Sequence, residues 1–390
     1  MRTATGGDAP IGLYVHVPFC ERKCAYCDFY SLENHGGIDA FPDLIAREIA
    51  LYANDRDPAR VRTLYFGGGT PSVLAVDQLR VVQDAFRRTF RFEADAEITI
   101  EVNPGTVDRA SLAAYRVVGF NRLSIGVQSF DPAALTFLGR IHSADDARRC
   151  IRDARDAGFT NISIDLIYAV PGQSDAHWYA TLDEAIALGP EHISAYSLIV
   201  EEDTPLYVQV REGKVTPHAD PREAALYEGT MARLSAAGYD HYEVSNYARP
   251  GCRSRHNSSY WDHATYLGFG PSAHSFLTSS PQGGARRWSN VRSLQGWTVM
   301  LEKGERPIAQ EEVLTGQELF DEGIFLALRA NGLDPGRVER LSGLRFSARQ
   351  RQTVADLVAG GLAVEDGGRF RLTPAGFLLC DEICARMLVP

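Results

Sequence analysis

Six short runs rich in Val, Ile, Leu and Tyr recur through the first half of the chain, each separated from the next by enough residues for a helix. They are GLYVHV (12–17), VRTLYF (61–66), EITIEV (97–102), RLSIGV (122–127), NISIDLIY (161–168) and HISAYSLI (192–199). Amphipathic stretches such as FPDLIAREIALYA and DAHWYATLDEAIALG lie between them. Strands joined by helical crossovers must run parallel, and a parallel sheet is covered on both faces, so its strands read as near-continuous apolar runs. Six units are too few for an eight-stranded barrel. The pattern therefore predicts an α/β fold, an open, partial (β/α)6 barrel over residues 1–200. In such sheets the chemistry gathers on loops after the carboxyl ends of the strands.

Residues 201–312 have weaker periodicity and more aromatic side chains, which predicts a connecting region packed on the barrel. From 313 to 390 the pattern changes to short helices, then LAVEDGGRFRLT, two strands around an Asp-Gly-Gly turn, and a final helix. That order describes a winged-helix-like module. Its ten acidic and nine basic side chains give it no basic footprint, so DNA binding is not expected. A net charge of -10 across 390 residues likewise argues against nucleic acid or an anionic membrane as partner. No apolar leader opens MRTATGGDAP, and no long apolar run follows, so the expected location is cytoplasmic with no integral membrane segment. Seven cysteines then read as free or metal-bound thiols in a reducing compartment.

Three of them, Cys20, Cys24 and Cys27, crowd into the loop after the first run. Three is the wrong number for disulfides, and a structural zinc site closes with four protein ligands. Core packing is disfavoured, because Glu21, Arg22, Lys23 and Asp28 make the segment polar. Zinc with His16 as a fourth ligand stays open, although His16 belongs to the strand and has no reason to turn toward the thiols. The third reading is an iron–sulfur cube held at three corners with one iron free. GGGTP (67–71) follows the second run, Glu101 ends the third, Gln128 follows the fourth and Asp165 lies in the fifth. All sit where an α/β sheet places its site.

Cys-x3-Cys-x2-Cys followed by Gly-Gly-Gly-Thr-Pro resembles the radical S-adenosylmethionine (SAM) superfamily. LYVHVPFC, YFGGGTPS, IEVNPG, RLSIGVQSF, LGRIHS and IDLIYAVPGQ resemble its oxygen-independent coproporphyrinogen III oxidase branch over nearly the whole chain. The resemblance implies a [4Fe-4S] cluster on Cys20, Cys24 and Cys27, with SAM chelating the open iron. It implies Tyr14, Gly68 and Glu101 as contacts to that SAM. Tyr26, Gly69, Thr70, Gln128, Arg140 and Asp165 match contacts to a second one. Glycines 67–69 would admit a ligand close to the backbone. The oxidases place a fourth cysteine two residues after the third; here that position is Phe29. RHNSSYW (255–261) and YLGFGPSAHSF (266–276) instead resemble the haem-chaperone members of the family, which implies haem and an unidentified haem-acceptor protein as partners.

On that resemblance His256 is the candidate haem ligand, a neutral imidazole beside Tyr260 and Trp261; otherwise it is a satisfied polar group in an aromatic cluster. Arg253, Arg255, Arg286 and Arg287 are candidates to neutralise propionates, and Cys252 is a weaker ligand candidate. The absence of Cys-x-x-Cys-His excludes c-type attachment by pattern. Cys150, Cys380 and Cys384 are expected in the core. The readings to be told apart are a haem chaperone, a coproporphyrinogen III dehydrogenase, and a zinc-stabilised interaction protein.

Overall fold

The computed structural model describes residues 9–53, 59–278 and 284–388; the first eight residues, most of the stretch read as lacking a leader, lie outside them. The six expected runs form β1 (Ile11–Val17), β2 (Arg60–Gly68), β3 (Arg91–Val102), β4 (Arg122–Gln128), β5 (Ile162–Tyr168) and β6 (His192–Ser197). They are hydrogen-bonded side by side in that order, every pair parallel. In β1 only Tyr14 escapes full burial, as expected of a strand covered on both faces. The crossover helices begin on recognisable signals. Ser143 accepts from the Asp146 backbone while Asp146 answers to the Ser143 N–H at 2.8 Å, a reciprocal cap that starts the helix Ala144–Asp156.

Residues 201–312 do more than pack against the barrel: they continue its sheet. They supply β7 (Asp240–Glu243), β8 (Asn246–Ala248), β9 (Tyr266–Phe269), β10 (His274–Thr278) and β11 (Ala285–Asn290), with β12 (Ile308–Leu314) running just beyond. β8 pairs antiparallel with β6 and carries β7 outside it. β9 runs parallel to β1 and leads through antiparallel pairs to β12, giving one twelve-stranded sheet. A buried carboxylate fastens this extension to the barrel. Glu48, on the helix Phe41–Ala50, accepts from the Gly270 N–H at 2.8 Å, the Asn290 amide at 2.7 Å and the Trp297 indole at 3.0 Å. Burial pushes its carboxyl up to about 7 against those three donors.

The C-terminal residues form helices Gly316–Leu328, Pro335–Ser342 and Ala348–Ala359, then a hairpin, Ala363–Asp366 with Arg369–Leu372, turned on Gly367 and Gly368 at positive φ. Two short helices, Pro374–Leu378 and Cys380–Leu388, follow where one was expected. Cys150, Cys380 and Cys384 are buried. Among the described residues no helix is long and apolar enough to cross a membrane.

Candidate functional site

The loops at the carboxyl ends of β1 to β6 enclose a cavity of about 620 Å³. Cys20, Cys24, Cys27, Tyr26, Gly68, Gly69, Thr70, Glu101, Gln128, Arg140 and Asp165 all line it. Tyr14 and His256 do not: Tyr14 lines a neighbouring cavity, and His256 is buried behind both.

The cysteine loop is held from below by the glycine loop. Gly69 N–H donates to the Val17 carbonyl at 2.8 Å and Thr70 N–H to the Phe19 carbonyl at 2.7 Å. This explains the glycines differently from the expectation that they clear a path for a ligand. A Cβ on Gly69 would lie 2.7 Å from the Phe19 oxygen and 3.1 Å from Cys20 Sγ; one on Gly68, at φ +107°, would strike the His16 ring at 2.6 Å. The glycines are required so that protein can approach protein. His16 is itself committed elsewhere, bonded through Nε2 to the Tyr30 carbonyl at 2.7 Å. It supplies no fourth ligand in this arrangement.

Thr70 donates its hydroxyl to Cys20 Sγ, and Arg140 its guanidinium to Cys24 Sγ, both at 3.4 Å. Such donors stabilise thiolate charge and tune any metal the sulfurs hold. Among the described residues no three His, Cys, Asp or Glu side chains gather as one metal ion requires. Arg140 also donates to the Gly126 carbonyl at 3.0 Å, which fixes its fork between the loop and β4.

The cavity lining also carries buried ionisable groups. Glu101 accepts from the Tyr65 hydroxyl at 2.7 Å, and burial, helped by nearby Asp165, pushes its carboxyl up to about 7. Burial also raises Asp165, which holds the Ser124 hydroxyl at 3.3 Å. Gln128 sits at φ +63°, a left-handed conformation that costs a non-glycine residue about 1–3 kcal/mol. His142, from the LGRIHS stretch, ties strand ends together through the Val127 carbonyl (3.0 Å) and Asn103 (3.1 Å). Arg122 was missed by sequence reasoning. Only 1% exposed, it lines this cavity close to both carboxylates, and its Nε has no hydrogen-bond partner. Its signal was an arginine opening an otherwise apolar strand.

The HNSSYW stretch forms one short helix, Arg255–Trp261, capped by Ser254 and with Glu97 accepting from the first two N–H groups at 3.1 and 3.0 Å. His256 and Tyr260, four apart, share a face. His256 is hydrogen-bonded to Thr63 through Nδ1 and to Tyr260 through Nε2, both at 2.8 Å, and its ring stacks on Tyr65 at 5.0 Å. Burial holds its pKa down to about 3. The expected haem ligand thus has both ring nitrogens hydrogen-bonded in this structure, within a cluster of aromatic rings. The four arginines expected to meet propionates are also committed, Arg253 to Asp240, Arg255 to Asp95, Arg286 to Glu311, and Arg287 to Glu312 and Glu322.

Parallel strands ending in a three-thiol loop, a glycine loop and buried carboxylates define a radical SAM barrel. The Radical SAM superfamily model matches residues 14–185, and the HemN C-terminal domain model matches 314–379. The chain belongs to the radical SAM superfamily, in its oxygen-independent coproporphyrinogen oxidase-like family. Among its relatives is a protein of Mycobacterium tuberculosis named heme chaperone HemW, 38% identical over 97% of this chain and 95% of that one. The heme chaperone HemW of Bacillus subtilis is 32% identical over 96% and 98%. A solved structure of the radical SAM enzyme coproporphyrinogen III oxidase (HemN) from Escherichia coli superposes with a TM-score of 0.80 at 26% identity, covering 97% of this chain and 90% of that one.

Proposed function

We propose that this protein is a radical SAM haem chaperone: it binds haem, carries a [4Fe-4S] cluster with SAM, and passes the haem to an acceptor protein. The observation that carries the reading is the run of relatives named heme chaperone at 32–38% identity along most of the chain. Family membership implies the cluster and SAM. Cys20, Cys24 and Cys27 are the residues to hold the cluster. Tyr26, Gly68, Gly69, Thr70, Glu101, Gln128, Arg140 and Asp165 stand ready around the cavity for SAM; Tyr14, implied by the family as a further contact, lines the neighbouring cavity. A cluster held there would supply low-potential electrons next to the sulfonium of SAM. The residues of this chain orient the ligand: Glu101 and Asp165 offer acceptors for hydroxyls or an ammonium, and Arg140 offers a fork for a carboxylate. We divide the chain into a barrel (1–200), a connecting region (201–312) and a C-terminal module (313–390), and we place it in the cytoplasm, in keeping with seven free thiols.

The rival is coproporphyrinogen III decarboxylation, favoured by the likeness to the Escherichia coli enzyme. Phe29, where the oxidases carry a fourth cysteine, argues against it. The deciding experiment is an anaerobic assay of reconstituted protein, titrated with haem and, in parallel, supplied with coproporphyrinogen, SAM and reductant. Haem uptake without protoporphyrinogen formation is expected. Turnover to protoporphyrinogen at a useful rate overturns the chaperone reading.

A further inference from the structure

Beside the thiol loop lies a second cavity, of about 300 Å³, to which the site above assigns no role. Tyr14, Tyr30, Tyr260 and Tyr266 wall it, and Phe29 and His274 also line it. Phe29 is 65% exposed, an unusual position for a large apolar ring, and it lines both this cavity and the larger one. Flat rings with polar tips suit a ligand that is itself flat, apolar at its centre and wet at one edge.

Two histidines line this cavity. His16 is bonded at both nitrogens, to the Tyr30 carbonyl and to the Tyr14 hydroxyl at 3.2 Å. His274 differs. It opens β10, is exposed, and has no hydrogen bond from its ring to any described residue. Side chains two apart on a strand share a face; Phe276, two residues on, stacks against Tyr266, so His274 stands on the Tyr266 side of its strand. Arg292 reaches the same cavity; it donates to the Asp28 carbonyl at 2.8 Å and meets the Asp28 carboxylate only at 3.5 Å, a long and exposed ion pair that leaves the rest of its fork available.

We propose that this cavity receives one edge of a haem, with His274 as the axial ligand to its iron. The proposal rests on the haem-chaperone reading and deepens it by naming the site. A neutral imidazole with a free lone pair is the ligand a haem iron takes. The tyrosines and Phe29 cover the macrocycle, and Arg292 pairs with a propionate. A porphyrin is larger than this cavity, so its far edge stays in solvent, where an acceptor protein can reach it. His256 then acts as a positioning residue, holding the Tyr260 hydroxyl at 2.8 Å and with it one wall.

The test is titration of the cluster-reconstituted full chain with haemin, followed by absorbance. His274→Ala moves the Soret band and lowers haem affinity by at least about tenfold, the low end of what losing a mere supporting partner of a metal ligand costs; added free imidazole restores the wild-type band. His274 is exposed, so the variant keeps the wild-type iron content and melting temperature. Phe29→Ser weakens binding without moving the band, because it covers the ring and does not ligate. His274→Ala with wild-type affinity and band overturns the assignment and leaves the chaperone reading standing. Unchanged affinity in Phe29→Ser overturns the choice of cavity. A wild-type protein that takes up no haem overturns the chaperone reading itself.

Discussion

The two cavities meet at Asp28 and Phe29 and are built on opposite plans. The larger one gathers charge: the thiols, Arg122, Arg140, Glu101 and Asp165 all line it. The smaller one is walled by tyrosines and leaves an imidazole unpaired. In the larger, burial forces each ionisable group to depend on its neighbours, which prepares it for a small charged ligand. In the smaller, ring faces and hydroxyl tips dominate, with the His274 imidazole and the Arg292 guanidinium at the edge, a lining that suits a broad apolar plate with a charged rim. A single loop separates the two. Damage to one should leave the other readable.

The sharpest way to break this contrast is at the thiols. Cys24→Ala should reduce iron in anaerobically reconstituted protein from about four per chain to a small residue, since a cube cannot be held at two corners. Haem uptake should persist in the same sample; simultaneous loss of both would show that the cavities form one site. Next in size is Gly69→Ala. Its Cβ would press on the Val17 and Phe19 carbonyls and Cys20 Sγ, so iron retention should fall severalfold while far-ultraviolet circular dichroism is unchanged.

His256→Ala sharpens the comparison from beneath. It strips partners from Thr63 and Tyr260, at about 1–3 kcal/mol for each group left unsatisfied, which a thermal melt will read. Haem affinity should fall less than in His274→Ala, and the Soret band should stay in place. The smallest effect concerns pH. Glu101 has its carboxyl raised from 4.5 to about 7 by burial. Between those values the native state keeps a proton that the unfolded chain has released, so this group's contribution to stability declines as pH rises through the window and is level above it. Glu101→Gln should flatten that decline in denaturant titrations of the metal-free protein. It should not abolish it, because Glu48 and Glu243 are raised to about 7 in the same way.

The barrel was legible because its strands are seven residues or so of Val and Ile, and the loops that follow them are punctuated by Cys and Gly. The extension of the sheet was not. NYA and YLGF, which become β8 and β9, are three and four residues long and carry no period. Nor did the motif at 255–261 announce how its side chains would be shared out. Asn257 reaches the larger cavity and Tyr260 the smaller, while His256 is committed to Thr63, a partner 193 residues away. Spacing along a helix reveals which residues share a face, but not what the rest of the chain brings to meet that face. The same holds for the glycines: GGG was read as room for a ligand, and the atoms that need the room are Val17, Phe19 and His16.

The pairing of β1 with β9 has a consequence for how the protein is made. Synthesis runs from the N-terminus, and Gly12 to Val15 find their outer neighbours only at Tyr266 to Phe269. Until the ribosome has delivered that segment, β1 shows a bare row of amide and carbonyl groups on its outer side, the kind of border on which nascent chains stick to one another. The cysteine loop hangs from the end of this unfinished strand. Ribosome stalling or truncation anywhere before Tyr266 should therefore yield aggregates, with the cysteine loop left hanging from a strand that has only one neighbour.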